Sequence, residues 1–102
     1  MTLIKICGMT NKVDAISACE LGVDMLGFVF YKISKRSVDI KTVSDIINEL
    51  PEAVHKVGVF VNEAKDKVRE TAQDANLDTL QFHGDETPEY CSAFKGDYKV
   101  IK

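Results

Sequence analysis

The stretches Gly27-Phe28-Val29-Phe30 and Gly58-Val59-Phe60-Val61 decide the fold of this chain, because each is apolar at every position after its glycine. Successive side chains of a β-strand point to opposite faces, so each stretch would bury both of its faces. Parallel sheets, in which a helix crosses over between strands, have both faces covered, and their strands read as near-continuous apolar runs. The two stretches therefore predict a parallel sheet in which helices connect successive strands.

Outward from these stretches, apolar strand segments alternate with segments of helical period along all 102 residues. The strands are predicted at residues 2–7, 24–30, 54–61, 77–82 and 97–101. The helices are predicted at 11–21, across 43–50 up to Pro51, at 63–75, and from 88 to near 96. The chain thus contains four predicted βα units followed by a fifth strand, within one domain.

Polar residues mark the predicted starts of these helices. Thr10 or Asn11 is expected to cap the first, Asn62 the third, and Thr87 with Pro88 the fourth. The apolar residues expected to face the sheet are Val13, Ala15 and Ile16, then Val43, Ile46, Ile47 and Leu50, and then Val68, Ala72 and Ala75. Cys19 and Cys91 are expected in the core, as most free cysteines are.

The composition is that of a soluble globular protein, with 45% hydrophobic and 28% charged residues. A net charge of −3 without a basic stripe argues against nucleic acid as a partner. The sequence shows neither a signal peptide nor an apolar stretch long enough to span a bilayer, which predicts a cytosolic protein with no membrane partner. Three widely spaced cysteines and two histidines predict neither a disulfide framework nor a metal site.

The segment Lys5-Ile6-Cys7-Gly8-Met9-Thr10 places a cysteine at the end of the first predicted strand. Lys5 and Cys7 share one face of that strand, at the carboxyl end where parallel sheets collect their ligands. Taken alone, Cys7 is more often a small buried hydrophobe than a reactive group. Lys5 is equally well explained as a residue that fills a barrel interior.

Three motifs follow strands in order: KICGMT at 5–10, GFVFYKISKR at 27–36 and QFHGDE at 81–86. Together they resemble the phosphoribosylanthranilate isomerase family of tryptophan biosynthesis, and the resemblance extends over essentially the whole chain. It implies a (βα)8 TIM barrel that binds a small phosphosugar-anthranilate substrate. The implied reaction is the Amadori rearrangement of N-(5-phosphoribosyl)anthranilate to 1-(o-carboxyphenylamino)-1-deoxyribulose 5-phosphate, without metal or organic cofactor.

The resemblance also implies roles for individual residues. Cys7 would be the general base that removes the C2 proton of the ring-opened sugar. Arg36 would hold the anthranilate carboxylate, for which a planar guanidinium offers two parallel hydrogen bonds. His83 would lie at the rim of the site, in a motif whose second residue is Phe82 here and leucine in the family. Lys5 is expected to favour the thiolate form of Cys7.

A (βα)8 barrel ordinarily needs at least about 200 residues, so residues 1–102 are expected to be the N-terminal part of a single barrel domain. The resemblance places the general acid, an aspartate, and the phosphate-binding loops beyond residue 102. Activity of residues 1–102 alone is therefore not expected. The first and fifth strands of such an incomplete barrel would keep unpaired edges, which favours pairing with a second copy or a complementary half.

Two other functions fit the residues. One is a non-catalytic half-barrel module that assembles with itself or with a complementary half. The other is a small flavodoxin-like binding domain, which also has parallel strands and crossover helices. No glycine-rich phosphate loop follows the first strand, which argues against the second of these.

Overall fold

The computed structural model describes residues 3–31 and 38–102, and strands alternate with helices throughout. The strands are β1 (Lys5–Ile6), β2 (Met25–Val29), β3 (His55–Phe60), β4 (Thr79–Phe82) and β5 (Lys99–Ile101). The helices are α1 (Lys12–Glu20), α2 (Ile40–Ile47), α3 (Lys65–Ala75) and α4 (Pro88–Ser92). None of the helices in the two described ranges has the length and apolar character needed to cross a bilayer.

The five strands form one parallel sheet in the order β1-β2-β3-β4-β5. The predicted parallel pairing is therefore confirmed. A flavodoxin-like domain would interrupt this sequential order, because its chain reverses direction across the sheet after the first strands. That alternative is wrong, and the wall of a (βα)8 barrel is the arrangement that the strands adopt.

The core lies between one face of the sheet and the helices. Even-numbered residues of the three inner strands point toward the helices, and the large apolar ones are almost completely buried there: Leu26, Phe28, Phe60, Leu80 and Phe82. In this layer α1 and α3 contribute mainly small residues, such as Ala15, Ala72 and Ala75, whereas α2 contributes the larger Val43, Ile46 and Ile47. Small side chains let α1 and α3 lie close to the sheet, and together with the larger residues of α2 and of the strands they fill one continuous layer.

The sheet is strongly curved, and one side-chain contact shows it. Lys5 on β1 donates a hydrogen bond from Nζ to Oε1 of Gln81 on β4, although β2 and β3 lie between them. In a flat sheet the two strands would be about 14 Å apart, since neighbouring strands are spaced by about 4.8 Å. The side chains meet because the odd-numbered residues line the concave face of a barrel wall.

Two turns with the same pattern align neighbouring strands at their amino ends. In residues 22–24 and 76–78 a left-handed residue is followed by a buried apolar residue and an aspartate; φ is 88° at Gly22 and 64° at Asn76. Asp24 Oδ2 accepts from the backbone N–H of Ile4 at 2.8 Å. Both carboxylate oxygens of Asp78 accept from the N–H of Lys56, at 3.1 Å. Each aspartate thus ties its own strand to the preceding one.

Several predicted details of the helices are confirmed. Asn11 caps α1 by accepting from Asp14 N, and Thr87 caps α4 by accepting from Tyr90 N, with Pro88 in the first turn. The predicted buried residues of α3, Val68, Ala72 and Ala75, are buried. Leu50 lies beyond the end of α2, but it packs against the core as a residue of the following turn.

Two predictions about the helices are wrong. Val13 is 73% exposed, because the buried side of α1 is carried by Ala15 and Ala18 instead. Asn62 does not cap α3: the cap position is Ala64, which has no side-chain hydrogen bond. The Asn62 side chain instead accepts from the backbone of Asp85 in another loop. The strands lie within their predicted spans but are shorter, and β1 covers only two residues of the predicted 2–7.

The location of the core can be tested by comparing how two leucine substitutions change the free energy of unfolding. We expect Leu80→Ala to lower the free energy of unfolding by about 3 to 5 kcal/mol, because Leu80 is fully buried and its loss leaves a cavity. Leu21→Ala is the matched control, since Leu21 is 82% exposed, and we expect a change within about 0.5 kcal/mol. Urea unfolding followed by circular dichroism at one protein concentration measures both. Equal effects of the two substitutions would contradict this core.

Candidate active site

A cavity of about 530 Å³ occupies the concave face of the sheet toward the carboxyl ends of its strands. Val29, Val59, Val61 and Tyr31 form much of its wall. Its polar and reactive lining groups are Lys5, Cys7, Gln81 and His83. Three residues that the sequence analysis assigned to a site, from two distant segments of the chain, therefore share one cavity.

Cys7 is exposed and follows β1 directly, where the chain turns away from the sheet. Gly8 makes this turn possible because its φ of 83° lies in the left-handed region. The backbone N–H groups of Gly8 and Met9 both donate to the carbonyl of Gly27, at 3.0 and 3.1 Å. The turn after Cys7 is therefore fixed to β2 at one point.

Gly27 also leaves the space that Cys7 occupies. A Cβ at position 27 would lie 2.9 Å from Cys7 Sγ and 3.3 Å from Cys7 Cα, closer than side chains normally pack. The glycine that opens GFVFYKISKR is thus part of the site. Sequence reasoning missed this role, because the neighbour that needs the space is on another strand.

Lys5 lies partly buried in the cavity, on the same strand face as Cys7. Its ammonium donates to the side-chain carbonyl of Gln81, which holds it inside the concave face. Gln81 is the first residue of QFHGDE, and its residue type alone predicts no role there. The pairing places one positive charge in a cavity that also holds a thiol.

His83 follows β4 and its side chain is exposed at the rim of the cavity. Its backbone N–H donates to the carbonyl of Phe60 at 2.9 Å, which continues the β3–β4 pairing one residue past the strand. His83 therefore lines the same cavity as Lys5 and Cys7. Arg36, the predicted carboxylate-binding residue, lies outside the described residues.

Glu86, the last residue of QFHGDE, lies three residues beyond His83 and lines a separate cavity with Cys91, Val100 and Lys102; its residue type alone predicts no role. Burial by itself would raise the pKa of its carboxyl group. The backbone N–H groups of Asn62, Glu86 and Gly84 and the Lys102 side chain outweigh that effect, so its pKa lies below the ordinary value. A buried carboxylate with several donors stays ionised at neutral pH.

The other two cysteines lie away from the cavity. Cys91 is buried in the core, as predicted, whereas Cys19 is only partly buried and packs against the core edge. Burial raises the pKa of the Cys19 thiol, and the nearby charge of Lys56 lowers it to a smaller extent. Within residues 3–31 and 38–102, no group of three His, Cys, Asp or Glu side chains is placed to hold a metal ion.

Comparison with known proteins identifies relatives over the whole described length. A family described as N-(5'-phosphoribosyl)anthranilate (PRA) isomerase matches residues 4–102. The N-(5'-phosphoribosyl)anthranilate isomerase of Trichlorobacter lovleyi is 50% identical over 102 residues, which are 100% of this chain and 49% of the relative. That of Caldanaerobacter subterraneus is 50% identical over 95 residues, 93% of this chain and 46% of the relative. The chain spans about half the length of the curated relatives it matches.

Solved structures show the same relationship. A phosphoribosyl anthranilate isomerase in complex with reduced 1-(o-carboxyphenylamino)-1-deoxyribulose 5-phosphate superimposes with a TM-score of 0.97 at 43% identity, covering 100% of this chain and 53% of that protein. A second structure, of monomers generated from the dimeric enzyme of Thermotoga maritima, gives a TM-score of 0.93 at 42% identity, with coverage of 98% and 50%. By the family match and by these likenesses, the chain belongs to the phosphoribosylanthranilate isomerase family and has a TIM-barrel-type fold.

Proposed function

We propose that this chain supplies the proton-abstracting part of the isomerisation of N-(5'-phosphoribosyl)anthranilate, with Cys7 as the general base. The observation that carries the proposal is the position of Cys7 in a cavity at the carboxyl ends of parallel strands, together with an ammonium and an imidazole. Barrels of this type hold their substrates at that end. A relative of the same fold has been crystallised with the reduced product, which supports a phosphosugar-anthranilate as the ligand class.

In the proposed step the sugar ring is already open, and C1 is joined to the protonated anthranilate nitrogen by a double bond. The Cys7 thiolate takes the proton from C2, and the electron pair of that C–H bond forms a C1=C2 double bond. The electrons of the C1=N bond move to nitrogen and neutralise its charge. The C2 enol then becomes a ketone as its hydroxyl loses a proton and C1 gains one, so an aldose derivative becomes a ketose derivative without an external oxidant.

Three further residues complete the proposed contacts. Arg36 is proposed to bind the anthranilate carboxylate; its support is the GFVFYKISKR motif and the match between a guanidinium and a carboxylate. His83 is proposed to contact the substrate at the rim of the cavity. Lys5 is proposed to stabilise the thiolate, since a positive charge favours the ionised form of a nearby thiol.

A second candidate function is a non-catalytic half-barrel module that assembles with itself or with a complementary half. It is supported by the sheet edges: in the described part of the chain, β1 and β5 each pair with one strand only. Unpaired edges of a parallel sheet favour pairing with another chain. The two functions differ in whether assembly produces turnover.

A complementation assay tests the catalytic proposal. This chain is mixed with the C-terminal half of the Thermotoga maritima enzyme, and substrate and product are followed by chromatography. We expect turnover with the unaltered chain and a loss of at least about 100-fold in kcat with Cys7→Ala, the usual effect of removing a general base. Cys19→Ala, outside the cavity, is the matched control and should leave kcat unchanged. Association without turnover would favour the non-catalytic module, and full activity of Cys7→Ala would exclude the base role.

The role of Lys5 is tested by the reactivity of Cys7. We expect Lys5→Met to slow the alkylation of Cys7 by the neutral reagent iodoacetamide by about two- to tenfold near pH 7, because the thiolate loses a stabilising charge. Lys12→Met removes a charge of the same kind from exposed α1 and should have no effect. Peptide mass spectrometry measures the rate at each pH. An unchanged pH dependence in Lys5→Met would exclude this role.

The role of Gly27 is tested by hydrogen exchange. We expect Gly27→Ala to raise the exchange rates of the Gly8 and Met9 amides by about tenfold, because the new methyl group displaces Cys7 from β2 and weakens their bonds to residue 27. Gly96→Ala is the control, since nothing lies within 4 Å of a Cβ at that position. If both variants keep the parent exchange rates, Gly27 does not set the position of Cys7.

A further inference from the structure

Glu86 lies in the loop after β4, and its carboxylate is enclosed between two loops. The side chain is 1% exposed. Oε2 accepts from the backbone N–H of Asn62, in the loop after β3, at 2.8 Å. Oε1 accepts from the N–H of Gly84 at 2.8 Å and from Lys102 Nζ at 3.2 Å. One carboxylate therefore joins the loops that follow β3 and β4, and the end of β5.

Asn62 joins the same two loops in the opposite direction. Its Oδ1 accepts from the backbone N–H of Asp85 at 2.8 Å. Its φ of 51° is in the left-handed region, which an asparagine tolerates better than most residues. A Cβ at position 84 would lie 2.6 Å from this Oδ1, so the close approach of the loops requires Gly84. The two loops are thus linked by reciprocal contacts, each made by a side chain of one loop to the backbone of the other.

These contacts begin immediately after His83. The N–H of His83 is fixed by the carbonyl of Phe60, and the next N–H, that of Gly84, is fixed by Glu86. Lys102 Nζ also donates to the carbonyl of Gly84 at 2.6 Å. The backbone on both sides of the His83 side chain is therefore held, while the imidazole itself stays exposed at the cavity rim.

A buried carboxylate is a poor way to gain stability alone, because its desolvation offsets much of what its hydrogen bonds contribute. Its particular advantage is geometric. The two oxygens of a carboxylate are a fixed distance apart, so two backbone donors that bind them are held at a fixed separation. Glu86 uses one oxygen for each loop. Arrangements of this kind hold the parts of a site in place through groups that do not themselves contact the ligand.

We propose that Glu86 is a positioning residue of the site: its carboxylate holds the loops after β3 and β4 together and thereby fixes His83 at the rim of the cavity. The proposal rests on the proposed function in one respect, which is that the cavity lined by Cys7 and His83 binds the substrate.

The first test needs no ligand and no turnover. We expect Glu86→Gln, which keeps the shape but removes the charge and one acceptor, to raise amide exchange at Asn62 and Gly84 by about tenfold. The NMR signals of the His83 ring should shift, whereas those of His55, at the opposite end of the sheet, should not. Glu89→Gln, a change of the same kind at an exposed position of α4, should affect neither.

A second variant keeps the test decisive if Glu86→Gln does not fold. Asn62→Gly removes Oδ1, and glycine readily adopts the left-handed backbone at this position. We therefore expect it to destabilise the fold less than Glu86→Gln does. We expect about tenfold faster exchange of the Asp85 amide and a shift of the His83 signals. Unchanged His83 signals in both folded variants, or faster exchange spread evenly over β2 and β3, would overturn the positioning role.

The complemented mixture adds a double-mutant cycle. If Glu86 acts through His83, the loss in kcat/KM of Glu86→Gln with His83→Ala should equal the loss of His83→Ala alone. Additive losses would mean that Glu86 acts independently of His83, and would overturn the proposal. A mixture without turnover would contradict the isomerase function, while the exchange and NMR measurements would still decide the role of Glu86.

Discussion

Curvature of the parallel sheet is the constraint on which the rest of this structure depends. The helices bury the even-numbered strand residues, so the odd-numbered residues are left on the concave face. Only because that face is concave can Lys5 of β1 reach Gln81 of β4 across two intervening strands. The same bend brings Cys7 and His83, from the first and fourth βα units, to one cavity. In a flat sheet of the same sequence β1 and β4 would lie about 14 Å apart, and these groups would not line one cavity.

The fold could be predicted from the sequence because the features that determine its helices and strands are local in the chain. Doubly apolar strands such as Gly58-Val59-Phe60-Val61 and the capping residues Asn11 and Thr87 each act within a few residues. One of the predictions that failed depended on a distant partner. Asn62 looks like a helix cap, but its side chain bonds a loop 23 residues away in the chain. Val13 follows a helical period, yet two alanines carry the buried side of α1.

The residues of the candidate site also fall into two groups, those that local motifs predict and those whose roles depend on contacts with distant segments. Cys7, Lys5 and His83, which line one cavity, belong to motifs at strand ends, and parallel strands bring those ends to one edge. Gly27 and Glu86 stood within quoted motifs but had no assigned role, because their importance lies in a close approach and in hydrogen bonds between segments. A glycine that makes room for a thiol, or a glutamate that joins two loops, cannot be distinguished from its neighbours by residue type alone.

The aspartates of the two turns at the amino ends of the strands affect which parts of this fold can vary. Asp24 and Asp78 set the register of their strands from the end of the sheet opposite the cavity. Register and chemistry are therefore specified by different residues, at opposite ends of the same strands. Loops at the carboxyl end can be exchanged for others while the strands stay aligned. The same sheet can therefore bind new substrates without any change in the residues that align its strands.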